Sequence, residues 1–223
     1  MSRLGDFRRD RLARAHLYLV TGARTGQGDL AAFLDAVLGA GVDLVQLREK
    51  DAEAGDLLRW SMVFRAAADR HGALFIINDR PDVAVAAGAD GVHVGQNDLP
   101  PAAARGATGP DLLIGLSTHS SMELDDAAPE PDYLCTGPVY ATPTKPGRAP
   151  TGLETVRHAA RRERQGIERR PWFAIGGIDP ATLPDVVEAG ASRIVVVRAI
   201  TGSPDPASSS ARLLAALKGL PES

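Results

Sequence analysis

Two cations stand two residues apart in Gln46-Leu47-Arg48-Glu49-Lys50. In an extended segment that spacing puts Arg48 and Lys50 on one face, while Glu49 points away or pairs locally. A guanidinium offers fork-shaped donors and an ammonium a compact charge, and both suit a substrate bearing phosphate. Lys145 and Arg198 add two further cations. Asn78-Asp79 and Gly95-Gln96-Asn97-Asp98 each end in a carboxylate. Two carboxylates with room for water and phosphate oxygens suit Mg²⁺. Helix capping suits them equally well, because Asp79 precedes Pro81 and Asp98 precedes Pro100; the neighbouring cations favour the metal and a diphosphate. Gly176-Gly177-Ile178 offers backbone N–H groups to an anion without a Cβ in the way. The histidines carry less. His93 alternates with Val92 and Val94 as a core imidazole would, and no Ser–His–Asp order can be built on His119. Cys135, in an apolar run, reads as a small buried hydrophobe.

These residues are positioned by an alternation of elements. Short apolar runs at 16–20, 42–47, 74–77, 91–94, 112–116, 133–139, 172–175 and 193–199 read as strands. Several are continuous in Val, Ile and Leu, as parallel strands covered on both faces are. Helical spacing follows at 30–38, 57–68, 81–87, 153–160 and 183–189, and again at 210–217. Ala40-Gly41-Val42-Asp43, Ala87-Gly88-Ala89-Asp90 and Ala189-Gly190-Ala191-Ser192 each join a helical segment to a strand. A glycine just past a helix takes the left-handed conformation without steric cost and turns the chain back. Eight such units predict a single (β/α)8 TIM barrel over residues 15–220, preceded by an extension at 1–14 that is a solvated or barrel-capping helix. An open doubly wound sheet would carry a glycine-rich turn after its first strand, and Gly22-Ala23-Arg24-Thr25-Gly26 does not fit G-x-G-x-x-G. In a barrel the loops after the strands surround one mouth, and nearly every strand here delivers a polar or glycine cluster to it. Arg48, Lys50, Lys145 and Arg198 then fall at equivalent positions, which no set of solvated surface residues requires.

Composition bounds the partners. The 223 residues are 44% hydrophobic and 24% charged, enough for a sizeable core, and with aromatics at only 4% that core is expected to be aliphatic. Lys+Arg 25 against Asp+Glu 28 is too balanced for a protein that neutralises a nucleic-acid backbone. One cysteine leaves no internal disulfide. No apolar run reaches the ~18 residues of a membrane span, and the first twenty residues lack a signal-peptide core. The expectation is a cytoplasmic protein with small-molecule substrates, no nucleic-acid or membrane partner, and room for a homodimer.

Taken in order, the clusters resemble the thiamine phosphate synthase family, from about Leu17 to Ile200. The stretches that carry the resemblance are residues 46–50, Asn78-Asp79, 95–98, 115–120, 137–145 and 174–178. That family joins a hydroxymethylpyrimidine diphosphate to a thiazole phosphate, releasing diphosphate, and CO₂ as well when the thiazole is carboxylated. The resemblance implies that Gln46, Leu47, Arg48, Glu49, Lys50, Asn78, Ser117 and Lys145 contact the pyrimidine diphosphate. It implies one Mg²⁺ per subunit on Asp79 and Asp98. Thr142, Pro143, Thr144, Gly177, Val197 and Arg198 would face the thiazole phosphate. Lys145, Arg48 and Lys50 would stabilise the leaving group. Many relatives carry serine where this chain has Arg198. Three alternatives are weaker. A thiazole tautomerase on the same fold needs no diphosphate half-site, a thiamine phosphate carrier could dispense with the carboxylates, and a sugar-phosphate isomerase would want an acid/base pair at the rim.

Overall fold

The alternation folds as its periodicity requires. The computed structural model describes residues 2–142 and 149–219. Its strands are β1 (Leu17–Thr21), β2 (Leu44–Leu47), β3 (Leu74–Asn78), β4 (Gly91–Val94), β5 (Leu113–Thr118), β6 (Tyr133–Thr136), β7 (Trp172–Ile175) and β8 (Ile194–Val196). All pair in parallel in chain order, and β8 closes on β1 with Leu17 opposite Ile194. The helices are α1 (Arg3–Ala13), α2 (Leu30–Gly39), α3 (Ala54–His71), α4 (Pro81–Ala86) and α5 (Pro101–Thr108). They continue with α6 (Ser121–Asp125), α7 (Gly152–Arg164), α8 (Leu183–Glu188), α9 (Arg198–Thr201) and α10 (Pro206–Lys218). No helix among the described residues is long and apolar enough to cross a membrane.

The structure differs from expectation at a few elements. β6 stops at Thr136 rather than 139, because Gly137 takes φ +154° and Pro138 has no N–H for the ladder. β8 stops at Val196, where Val197 turns at φ −124° and ψ −85° into α9. The short helices α6 and α9, and the alanine-rich α5 with only Ala104 and Thr108 buried, bury too few side chains to leave a periodic signature.

Two apolar layers result. One lies between sheet and helices and holds Leu19, Val45, Phe75, Val92 and Leu134. The other fills the barrel interior and holds Val20, Leu44, Ile76, Cys135 and Val195. The interior is not purely aliphatic. Tyr18, Tyr133 and Phe173 meet edge to face inside it, with ring centroids 5.7, 5.8 and 6.0 Å apart. The few aromatic residues are gathered where a wide interior needs large side chains. Leu12 of α1 joins this inner layer, so the N-terminal helix plugs the foot of the barrel rather than lying in solvent.

The foot is built on aspartates. Asp43 Oδ2 accepts N–H bonds from His16 and Leu17, Asp90 Oδ2 from Phe75, and Asp132 Oδ2 from Ile114. Each carboxylate stands just before an even-numbered strand and satisfies an N–H at the start of the strand before it. Arg8 of α1 pairs with Asp90 at 3.0 Å, and Arg9 with Asp132 at 2.8 Å, which fastens the plug. Gly41, Gly88 and Gly190 in the repeated joints have φ of +100°, +61° and +106°, the left-handed region the repeat requires.

Candidate active site

The mouth gathers the sequence clusters from the opposite ends of the strands. Along β2 and its exit the side chains alternate. Gln46 faces the interior, where its Nε2 donates to Tyr18 Oη. Leu47 is packed in the outer apolar layer. Glu49 Oε1 accepts from Ala23 N–H at 2.8 Å, so its carboxylate braces the β1 loop. Lys50 is exposed, with Nζ 3.6 Å from Asp79 Oδ2. Of these five residues, Leu47 and Glu49 therefore turn their side chains to structural partners.

Asp79 is held by an unusual backbone. Its φ is +60°, and Arg80 N–H donates to Asn78 C=O at 2.8 Å across it, closing a γ-turn of the rare positive-φ form. Aspartate tolerates this conformation better than most residues, and such strain clusters at functional sites. Asp79 N–H also donates to His93 C=O at 2.8 Å, which ties the turn to β4. Asp98 arrives from the next loop, with Oδ2 accepting from Gly95 N–H at 2.7 Å. Neither carboxylate caps a helix: α4 is entered through Arg80 and α5 through Pro100, neither with a side-chain cap. Instead the Asp79 and Asp98 carboxyls lie close enough to act on each other. Burial, and then the neighbouring Asp98, push the Asp79 carboxyl above the ordinary range, against the pull of Lys50 and Asn78. Two half-buried hard oxygen donors that repel each other could hold a cation.

On the other side of the mouth is a cavity of about 250 Å³. Ser117, Thr142, Gly177, Val197 and Arg198 line it, as do His119, Gly176, Ile178 and Asp179. The Gly176-Gly177 turn is forced by packing as well as by φ. Gly177 has φ +66°, and a Cβ there would lie 2.7 Å from Tyr140 Cβ. Gly176 has φ +105°, with Pro138 Cα 2.4 Å from where its Cβ would be. Backbone bonds from Val139 N–H to Ile175 C=O and from Tyr140 N–H to Gly176 C=O hold the β6 and β7 exits together. Pro143, Thr144 and Lys145 lie outside the described residues.

Sequence reasoning left His119 and Asp179 without a part. His119 Nδ1 bonds to Gly137 C=O, and Asp179 Oδ1 accepts from Ala181 and Thr182 N–H. Both shape the cavity wall; the position of His119 next to Ser117 and Thr118 was the available signal. His93 is indeed a core imidazole, but it reaches the site, with Nε2 2.9 Å from Ser117 Oγ. Ser117 C=O in turn accepts from Gln96 Nε2 at 2.7 Å.

Comparison with known proteins agrees with this fold. The family profile described as thiamine monophosphate synthase matches residues 17–200. The chain is 56% identical over 208 residues to the thiamine-phosphate synthase of Acidothermus cellulolyticus, covering 92% of this chain and 96% of that protein. It is 56% identical over 203 residues to that of Streptomyces avermitilis, covering 90% and 93%. The solved thiamine phosphate pyrophosphorylase from Pyrococcus furiosus superposes with a TM-score of 0.81 at 28% identity, covering 94% of this chain and 97% of that one. Orotidine 5'-phosphate decarboxylase from Pyrococcus horikoshii, at 19% identity and a TM-score of 0.61, shares the barrel alone. By its sequence and by the barrel that carries it, the chain belongs to the thiamine monophosphate synthase family of transferases.

Proposed function

We propose that the chain joins 4-amino-2-methyl-5-(diphosphooxymethyl)pyrimidine to a thiazole ethyl phosphate, giving thiamine phosphate and diphosphate, and CO₂ as well when the thiazole is carboxylated. The observation that carries this reading is the meeting of Asp79 and Asp98 beside Lys50, in the same mouth as the Ser117–Gly177 cavity. One half of the mouth is charged and suits a diphosphate; the other is a glycine-walled cavity at the barrel's usual phosphate position after strands seven and eight.

The chemistry matches the residues. The C–O bond to the diphosphate breaks, and a C–N bond forms from the thiazole nitrogen lone pair to the pyrimidine methylene. That nitrogen needs no base to become a nucleophile, and the electron-rich aminopyrimidine supports positive charge on the methylene, so departure can precede attack. Arg48 and Lys50, with Lys145, gather charge around the leaving diphosphate and hold the partners in line. Ser117 and Asn78 orient the pyrimidine diphosphate, and Thr142, Gly177, Val197 and Arg198, with Pro143 and Thr144, receive the thiazole phosphate.

Asp79 and Asp98 would hold one Mg²⁺. When bound, the ion neutralises negative charge on the diphosphate oxygens. Among the described residues no group of three or more His, Cys, Asp or Glu side chains could form a complete metal cage. A two-carboxylate set is the form Mg²⁺ takes when substrate phosphates and water complete its shell.

The test mixes both heterocycles with Mg²⁺ and follows diphosphate release. Release that requires both substrates supports the reading. Turnover of the thiazole phosphate alone, or no reaction with both present, overturns it.

A further inference from the structure

Beneath the mouth a chain of polar groups crosses the barrel interior. Gln46 Nε2 donates to Tyr18 Oη, which lies 3.1 Å from Tyr133 Oη. Tyr133 Oη lies 3.3 Å from His93 Nδ1, and His93 Nε2 lies 2.9 Å from Ser117 Oγ. Both ends of the chain, Gln46 and Ser117, are residues of the proposed pyrimidine diphosphate site; the middle is fully buried, with Tyr18 and Tyr133 at 0% exposure. The contact between Tyr133 and His93 depends on Gly115, opposite Tyr133 in the β5–β6 register. A Cβ on Gly115 would lie 2.4 Å from His93 Nδ1 and 2.2 Å from Tyr133 Cζ. This glycine is needed for space, not for φ.

The chain has one direction. An amide nitrogen only donates, so Tyr18 Oη accepts from Gln46. The buried Tyr18 hydroxyl must place its own proton on an acceptor, and among the described residues its hydrogen bonds run to Gln46 Nε2 and Tyr133 Oη, of which only Tyr133 Oη can take it. Tyr133 then sends its proton to His93 Nδ1. With Nδ1 as acceptor, the proton of the neutral ring is on Nε2 and is donated to Ser117 Oγ. Ser117 Oγ then accepts from His93, and its own proton is not spent on that bond and is available to the cavity it lines. Burial keeps both phenols protonated, as donors must be.

We propose that Tyr133 is a positioning residue, which fixes His93 as the Nε2–H tautomer and so leaves the Ser117 hydroxyl proton to be donated to the bound pyrimidine diphosphate. The proposal rests on the reaction assigned above for the role of Ser117, but not for the tautomer. Tyr18 aligns Tyr133 and is not itself required for the tautomer, because Tyr133 keeps its own proton without it.

The experiment records the two-bond ¹H–¹⁵N correlations of ¹⁵N-histidine-labelled full-length wild type, Tyr133→Phe and Tyr18→Phe, together with steady-state kinetics. Wild-type His93 is expected as the Nε2–H tautomer. In Tyr133→Phe it is expected to become a mixture with Nδ1–H, while kcat/KM for the pyrimidine diphosphate falls roughly tenfold, the size of one neutral hydrogen bond. KM for the thiazole phosphate is expected to stay within twofold. Tyr18→Phe is expected to keep the wild-type tautomer. The proposal is overturned if wild-type His93 carries its proton on Nδ1, or if Tyr133→Phe leaves the tautomer unchanged, whatever its activity. It is also overturned if Tyr18→Phe shifts the tautomer as far as Tyr133→Phe does. If the tautomer behaves as expected but the wild type releases no diphosphate from the two heterocycles, the assigned reaction fails and the relay in the barrel stands.

Discussion

The two ends of the barrel use aspartate in opposite ways. At the foot, Asp90 is held by Arg8 and by Arg65, the latter at 2.7 Å, and Asp132 by Arg9 and Arg105. In each, the Oδ2 that meets the second arginine also accepts a backbone N–H at a strand start. At the mouth, Asp79 and Asp98 face each other, Lys50 is 3.6 Å away and exposed, and Asp79 is raised above its ordinary pKa. Charges matched by fixed partners secure the fold. Charges left facing one another, with an exposed lysine at the far edge of ion-pair range, are poised for something that arrives later.

That contrast can be broken by exchanging losses between the ends. At the mouth, Asp79→Ala or Asp98→Ala is expected to lower kcat/KM by about 10²–10³ and to abolish its dependence on added magnesium, with little change in Tm. Unchanged activity across a magnesium titration in both variants would remove the metal assignment. At the foot, Arg8→Ala strips a partner from a buried carboxylate. A loss of about 3 kcal/mol is expected, or roughly 6–12 °C in Tm, while kcat/KM of the folded protein stays within twofold. A foot variant that lost activity without losing stability would erase the distinction.

Smaller effects sharpen it. Gly177→Ala puts a Cβ at φ +66° against Tyr140, and about tenfold weaker KM for the thiazole phosphate is expected, with kcat at saturation near wild type. The smallest effect concerns stability at the mouth. Because the folded-state pKa of Asp79 is raised, its ionised form destabilises the fold. That cost is complete above the raised pKa and vanishes below the ordinary carboxylate range. Asp79→Asn is therefore expected to raise Tm by about 1–2 °C in metal-free buffer at neutral pH, and to lose that gain in acid. A Tm that falls at neutral pH would mean Asp79 is as well matched as the aspartates of the foot.

The barrel was legible because its signals are local. A Val/Ile/Leu run followed by helical spacing, with a glycine at the joint, declares its unit whatever the rest of the chain does. The polar clusters were legible for a related reason: every strand exit opens on one mouth, so a cluster after each apolar run is already a statement about shared location. What stayed hidden were features without a repeat. α6 and α9 are too short for periodicity, and β6 ends where Pro138 removes a donor. Tyr18 and Tyr133 carried no signal, because nothing local ties together two residues 115 positions apart.

By itself, then, the chain's order of residues determined the alternation, the foot repeat and the set of side chains delivered to the rim, since each depends on neighbours within a few positions. Only the closed barrel turned Asp79 and Asp98 toward each other instead of to helix caps, gave Leu47 to the outer layer and Glu49 to the β1 loop, and strung Gln46, Tyr18, Tyr133, His93 and Ser117 into one directed path. Those outcomes depend on distances between strands, and on which face of each strand looks inward once β8 meets β1.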